Sequence, residues 1–199
     1  MKTCVFVKTY GAPPIDKAAI LRYAGCRTAD DKIGLLLDDC LKETAGRFSY
    51  RVCFSEMPIS VNEEVCDFGV FSVPSKNLAA HLSGCDSAVL FAATVGIEMD
   101  RLIQRYTRIA PARALLFQAI GTERVEALCD LFCNDTATAH HAILKPRFSP
   151  GYGDLPLTVQ KDIFAVLTPE KHIGITLTDS LLMSPTKSVT AIIGIPHRK

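Results

Sequence analysis

What stands out first is how much is missing. No basic run stands out, and 22 Lys and Arg against 21 Asp and Glu leave a formal net charge of +1 with a pI near 7.6. That balance gives no electrostatic reason to expect a nucleic-acid backbone as partner. The terminal His197-Arg198-Lys199 is too short to change this. No long hydrophobic run exists either. The longest, Ala88 to Ile97, is about half of the roughly 20 residues a membrane-spanning helix needs. The opening Met1-Lys2-Thr3-Cys4-Val5-Phe6-Val7-Lys8 breaks its apolar run too early for a secretory leader. Internal repeats, low-complexity linkers and tryptophan are absent as well.

What is present predicts a folded chain with a substantial core. Hydrophobic residues make up 48% and charged ones 22%, well away from the composition of disordered chains. A length of 199 residues suits one module over 1–199, with room for a smaller N-terminal lobe over about residues 1–75. Most of the eight cysteines, Cys4, Cys26, Cys40, Cys53, Cys66, Cys85, Cys129 and Cys133, sit inside apolar patterns. Without a secretion signal they read as reduced buried thiols of a cytoplasmic protein rather than as a disulfide framework.

Local signals divide the chain. Asp16 caps a short helix through Leu21 and Tyr23, and Asp30 or Asp31 starts a second with Ile33, Leu36, Leu37, Cys40 and Leu41 on one face. Tyr50 to Phe54 and Phe68 to Val73 read as strands, the latter ending at Pro74. Ser75 caps a helix that Gly84 closes, and Ala88 to Ala93 is a strand. A helix with Met99, Leu102, Ile103 and Tyr106 on one face follows. Pro111 then restarts helix, with Val125, Leu128, Cys129 and Phe132 as its later apolar positions. Thr158 to Leu167 reads as helix, and Ile173 to Leu177 and Ser188 to Ile195 as strands. The last is apolar on both faces and so is expected at the centre of its sheet. Early strands, middle helices and late strands predict an α+β fold, mainly an antiparallel sheet with flanking helices.

The most informative segment is Arg147-Phe148-Ser149-Pro150-Gly151-Tyr152-Gly153-Asp154-Leu155-Pro156. Pro150 stiffens the chain and biases Ser149 towards an extended shape. Gly151 reaches conformations closed to other residues and lets a ligand lie against bare backbone. Arg147 presents a planar fork for a carboxylate, and Tyr152 a flat face and a hydroxyl for stacking or for a cation. A zwitterionic ligand with an aromatic base and a positive centre would suit them. A rigid surface loop with an ordinary ion pair has the same composition.

Arg147-x-x-Pro150-Gly151-Tyr152 with Pro156 resembles the ligand loop of the activation domain of cobalamin-dependent methionine synthase. The similarity continues through Glu170-Lys171-His172-x-Gly174, Leu177-Thr178-Asp179-Ser180 and Met183-x-Pro185-x-x-Ser188-Val189. The resemblance implies the activation-domain fold and an S-adenosylmethionine site. Arg147 would hold the amino-acid end, the backbone from Ser149 through Pro150 to Gly151 the adenosine, and Tyr152 would lie near the sulfonium. Glu126, on the long helix, matches the acidic residue of the family's pocket, although it shares a helix face with Thr122 and Asp130 and suits a solvated face equally. The resemblance further implies reductive reactivation. A flavodoxin-like donor reduces oxidised cobalamin, and S-adenosylmethionine methylates it. Since nothing here resembles a corrinoid-ligating motif, the cobalamin would come from a partner, a cobalamin-dependent methionine synthase lacking its own activation domain. Docking to another corrinoid methyltransferase, with weak or no S-adenosylmethionine binding, is the alternative. The chain departs from the family in having Ile193-Gly194 where an aromatic pair is usual, and in lacking the tryptophan-bearing N-terminal motif.

Other motifs carry less. Cys129 and Cys133, four apart on a helix with His140 and His141 beyond, lack a Cys-x-x-Cys knuckle and read as core rather than metal ligands. Thr94-Val95-Gly96 before a helix lacks the full glycine pattern of a phosphate cradle. Ser149 has no nucleophile-elbow context, and His172 reads as a helix-end residue.

Overall fold

The computed structural model describes residues 4–26 and 31–197; Asp30, the first three residues and Arg198-Lys199 lie outside them. The chain opens with β1 (Phe6–Thr9) and α1 (Lys17–Tyr23). Asp16 caps α1 by accepting from the Ala19 amide at 3.0 Å. Next come α2 (Asp31–Thr44), β2 (Arg51–Pro58) and a small meander of β3 (Ser60–Asn62), β4 (Val65–Asp67) and β5 (Ser72–Pro74). Helix α3 (Lys76–Leu82), capped by Ser75 as predicted, leads into β6 (Cys85–Thr94).

Of the predicted strand from Phe68 to Val73, only Ser72 and Val73 are extended, as the start of β5; Phe68 to Phe71 form the turn between β4 and β5. The Asp67 carboxylate accepts from the Gly69 amide at 2.8 Å, Gly69 takes a φ of 74°, and the Phe68 amide donates to the Phe71 carbonyl at 3.0 Å. Aspartate bonding its own backbone two residues on outweighs the strand propensity of the phenylalanines.

Two helices follow, α4 (Glu98–Ile109) and α5 (Pro111–His140), the latter with Pro111 in its first turn. At 30 residues α5 is about 45 Å long. Its first half packs Leu116, Phe117 and Ile120 against Ile20 of α1, Leu37 and Cys40 of α2, and Met99 and Leu102 of α4. Its second half lays Val125, Leu128, Cys129 and Phe132 on the sheet. The chain ends with α6 (Val159–Leu167), α7 (Pro169–Ile173), the short pair β7 (Thr176–Leu177) and β8 (Met183–Ser184), and β9 (Ser188–Pro196). Only the end of the predicted strand over Ile173–Leu177 is extended, because Gly174, at a φ of 75°, terminates α7 there.

The main sheet is antiparallel throughout, in the order β1-β2-β6-β9. Alternation sends Val52, Phe91 and Ile193 towards α5, and Cys53, Leu90 and Ile192 towards the layer holding α3, α6 and α7. Phe132 of α5 sits between Phe54 and Phe91, with ring centroids 5.1 and 4.9 Å away. Contrary to expectation, β9 ends the strand order rather than lying at its centre. Its sequence is apolar on both faces because helices cover both faces, which says nothing about which edges are paired.

Gly194 explains one departure from the family pattern. A Cβ there would lie 2.8 Å from Cys85 Sγ, 2.9 Å from Leu82 Cδ2 and 3.1 Å from Lys145 Cγ, so a side chain fits only if those neighbours shift. Gly194→Ala is expected to cost about 1–3 kcal/mol through overpacking, read as a lower midpoint in urea denaturation; an unchanged midpoint would show that the Leu82, Cys85 and Lys145 side chains yield freely.

Candidate functional site

Segment 145–156 is fastened at several points. The Lys145 amide donates to the Gly194 carbonyl at 3.0 Å, and Phe148 and Ile192 exchange two bonds of 2.9 Å. The segment therefore pairs with the outer edge of β9. His81 Nε2 reaches the Pro146 carbonyl at 2.7 Å. Beyond Phe148 the chain turns back on itself. Tyr152 donates to Ser149 (3.1 Å), Gly151 to Leu155 (2.9 Å), and Gly151 holds a φ of 91° that a residue with a Cβ would adopt only under strain. Leu155 is buried in the core beside Val159 and Ile163. The Asp154 carboxylate accepts from the Ser75 hydroxyl and from the Lys76 and Asn77 amides, at 2.8 and 3.2 Å, so it supplements the cap of α3.

Arg147 points across to α5. Its Nη2 lies 3.1 Å from Glu126 Oε2 and 2.8 Å from Asp130 Oδ1. Burial works against its charge, but Cys129, Glu126 and Asp130 outweigh that, and its pKa is raised. Cys129 and Cys133 lie along the same face of α5. Burial pushes their thiols up to about 12 and about 11 despite the nearby guanidinium, so both are neutral at physiological pH. His140 instead lies 3.3 Å from Glu56. All eight cysteines are free thiols, five of them buried, and among the described residues no three His, Cys, Asp or Glu side chains gather to hold a metal. No helix among them is long and apolar enough to cross a membrane.

Between this segment, α5, α6 and the start of β9 lies a cavity of about 390 Å³, within the roughly 300–1,000 Å³ of small-molecule sites. Glu126, Arg147, Ser149, Pro150 and Tyr152 line it; Gly151 shapes the turn without facing it. Tyr152 is 58% exposed and meets the Phe148 ring edge-on, with centroids 6.0 Å apart. Met183, Ser188 and Val189 line the opposite wall. Their segment is held by Thr186, which donates its amide (2.8 Å) and hydroxyl to the Asp100 carboxylate. The remaining motifs serve as framework. Glu170 to Gly174 forms α7 and its stop, and Thr178 bonds the Leu182 amide in the turn that aims Met183. Ile193-Gly194 does not line the cavity. The Thr94-Val95-Gly96 turn spends its amides internally, Val95 on the Lys187 carbonyl (3.2 Å) and Gly96 on Thr94 Oγ1 (3.1 Å), and so cradles no anion.

Six lining residues were not among the candidates: Pro146, Gln160 and Thr190, and Met183, Ser188 and Val189, which the sequence offered only as parts of a family motif. Gln160 did carry a signal. It occupies the buried i, i+3, i+7 stripe of α6 with Ile163 and Leu167, where a polar residue needs a reason.

A family model described as vitamin B12 dependent methionine synthase, activation domain, matches residues 78–198. That stretch runs from within α3 to the end of β9 and contains every lining residue of the cavity. No curated protein matches the chain. Among solved structures the chain is similar to a crystal structure of the MetH reactivation domain bound to AdoHcy. The TM-score is 0.70 at 17% identity, over 100% of this chain and 80% of that one. The mixed fold of helices on an antiparallel sheet is thus shared with that domain.

Asp154 gives the loop a pH dependence. The Ser75 hydroxyl and, after it, the amides of α3 hold its carboxyl below the usual range. The anchoring is therefore complete above the ordinary aspartate pKa and is lost as pH falls through the lowered value. Asp154→Ala is expected to lower the hydrogen-exchange protection factors of the Lys76 and Asn77 amides at neutral pH, and acid to lower them in the wild type relative to the intrinsic exchange rate at that pH; unchanged protection would remove Asp154 from the cap.

Proposed function

The chain belongs to the vitamin B12-dependent methionine synthase activation domain family, and we propose that it is a single module binding S-adenosylmethionine in the cavity beside β9. One observation carries this reading. Residues from Glu126 to Thr190, spread over α5, the Arg147–Tyr152 turn, α6 and β9, meet around one space of ligand size. Charge is arranged to match. Arg147 has five N–H donors and both ion pairs fall on Nη2, so the fork can also take the carboxylate of a bound amino acid. Glu126 supplies a negative charge for the ammonium or sulfonium. The backbone of Ser149 to Gly151 would lie against the adenosine, and Tyr152 covers the mouth near the sulfonium. Gln160 and Thr190 line the same space and each carries a buried side-chain atom without a partner, which fits a polar guest.

The ligand would supply a methyl group to the corrinoid of a partner, a cobalamin-dependent methionine synthase lacking its own activation domain, with a flavodoxin-like protein as electron donor and the cytoplasm as the setting. This chain's residues would bind and orient the donor and need no acid or base. Calorimetric titration with S-adenosylmethionine should give saturable heat for the wild type. Arg147→Ala should weaken it at least tenfold, about 1.4 kcal/mol. Mixing module, partner, reductant and S-adenosylmethionine should restore methylcobalamin.

A second reading rests on the ion pairs. Arg147 is already neutralised by Glu126 and Asp130, which would suit a module that only docks to a corrinoid methyltransferase. Absence of heat from wild type and Arg147→Ala alike would favour it over the first.

A further inference from the structure

Five buried side-chain atoms among the described residues lack a hydrogen-bond partner: Arg51 Nε, Ser55 Oγ, Arg113 Nε, Gln160 Oε1 and Thr190 Oγ1. The residues that carry the last two, Gln160 and Thr190, line the same cavity. Their residues are 6% and 2% exposed, so bulk water has little access to them, and a carbonyl oxygen so placed is costly unless something donates to it. Gln160 opens the buried stripe of α6, and Thr190 lies on the β9 face that also presents Ile192 to α6. The charged groups, Arg147 and Glu126, lie towards α5. One end of the cavity is therefore ionic and the other neutral, with Pro146, Pro150, Met183 and Val189 as apolar lining.

We propose that Gln160 and Thr190 read the amino edge of a 6-aminopurine, making this pair the base-specificity determinant of the site; the assignment rests on the nucleoside reading above. A glutamine amide is complementary to adenine, its oxygen accepting from the exocyclic N6 while its NH₂ donates to N7. The Thr190 hydroxyl can donate or accept beside it. A 6-oxo purine offers acceptors at both O6 and N7, so neither orientation of the Gln160 amide pairs with that edge. The pair is neutral, as befits an uncharged base, and the charged fork is left for the amino-acid end.

Titrations with S-adenosylhomocysteine and its 6-oxo counterpart S-inosylhomocysteine test this. The wild type should prefer the adenosyl ligand at least tenfold. Gln160→Leu should bind it at least tenfold more weakly and lose most of that preference. Its ligand-free melting temperature should be no lower, since the change removes an unpaired buried amide. Arg147→Ala should weaken both ligands alike and keep the preference. A wild type indifferent to the 6-substituent, or Gln160→Leu with wild-type affinity, overturns the assignment while leaving the S-adenosylmethionine site standing. Failure of the wild type to bind either ligand or S-adenosylmethionine removes both. Should Gln160→Leu not fold, the isosteric Thr190→Val decides, and unaltered affinity and preference in that variant overturn the proposal.

Discussion

The outer edge of β9 is the constraint on which the rest depends. This strand is apolar on both faces and covered by helices on both, so its free edge lies where unpaired amides and carbonyls are costly. The chain meets that cost by bringing segment 145–148 back along the edge, where Lys145 and Phe148 take the bonds that another strand would have made. Pairing there fixes Pro146 and Arg147 beside the sheet. The tight turn from Ser149 to Leu155 has to fold over what lies next to it. The cavity is the space left between a sheet edge and the loop that closes it.

Ending the sheet at β9 also brings the two covering layers within reach of each other. Residues of α5 and α6, on opposite faces of the sheet, line one space beyond its last strand, as Glu126 and Gln160 do. Arg147 takes part in both framework and site. Held by Glu126 and Asp130 and only 23% exposed at its side chain, it ties the loop to α5, and it is also the one guanidinium lining the cavity. Its charge survives burial because two carboxylates compensate it. The neighbouring thiols stay protonated for the complementary reason, since burial penalises a thiolate more than a single guanidinium favours it.

Signals that act within a few residues were legible in the sequence. Asp16 and Ser75 as caps, Pro111 as a helix start and the apolar stripes of α2 and α4 all depend on bonds or periods closed within a turn or two. The constrained Pro150-Gly151 turn was equally visible, and a family resemblance pointed to Glu126, Arg147 and Tyr152, which line one cavity with residues it did not single out. Where two local preferences compete, as at Asp67-Phe68-Gly69, side-chain bonding to the backbone prevailed over strand propensity.

By itself, then, the sequence determined helices α1 to α6, the Asp16 and Ser75 caps, the long strands β2, β6 and β9, the α+β composition and the position of a stiff loop carrying an arginine and a tyrosine. Only the tertiary structure decided that β9 is an edge, that Gly194 makes room for Leu82 and Cys85, and that Gln160 and Thr190, each with a buried atom lacking a partner, line a common space. Pairing order, close approach and burial are relations between residues far apart in the chain, and no local pattern encodes which distant group will satisfy, crowd or abandon a given atom.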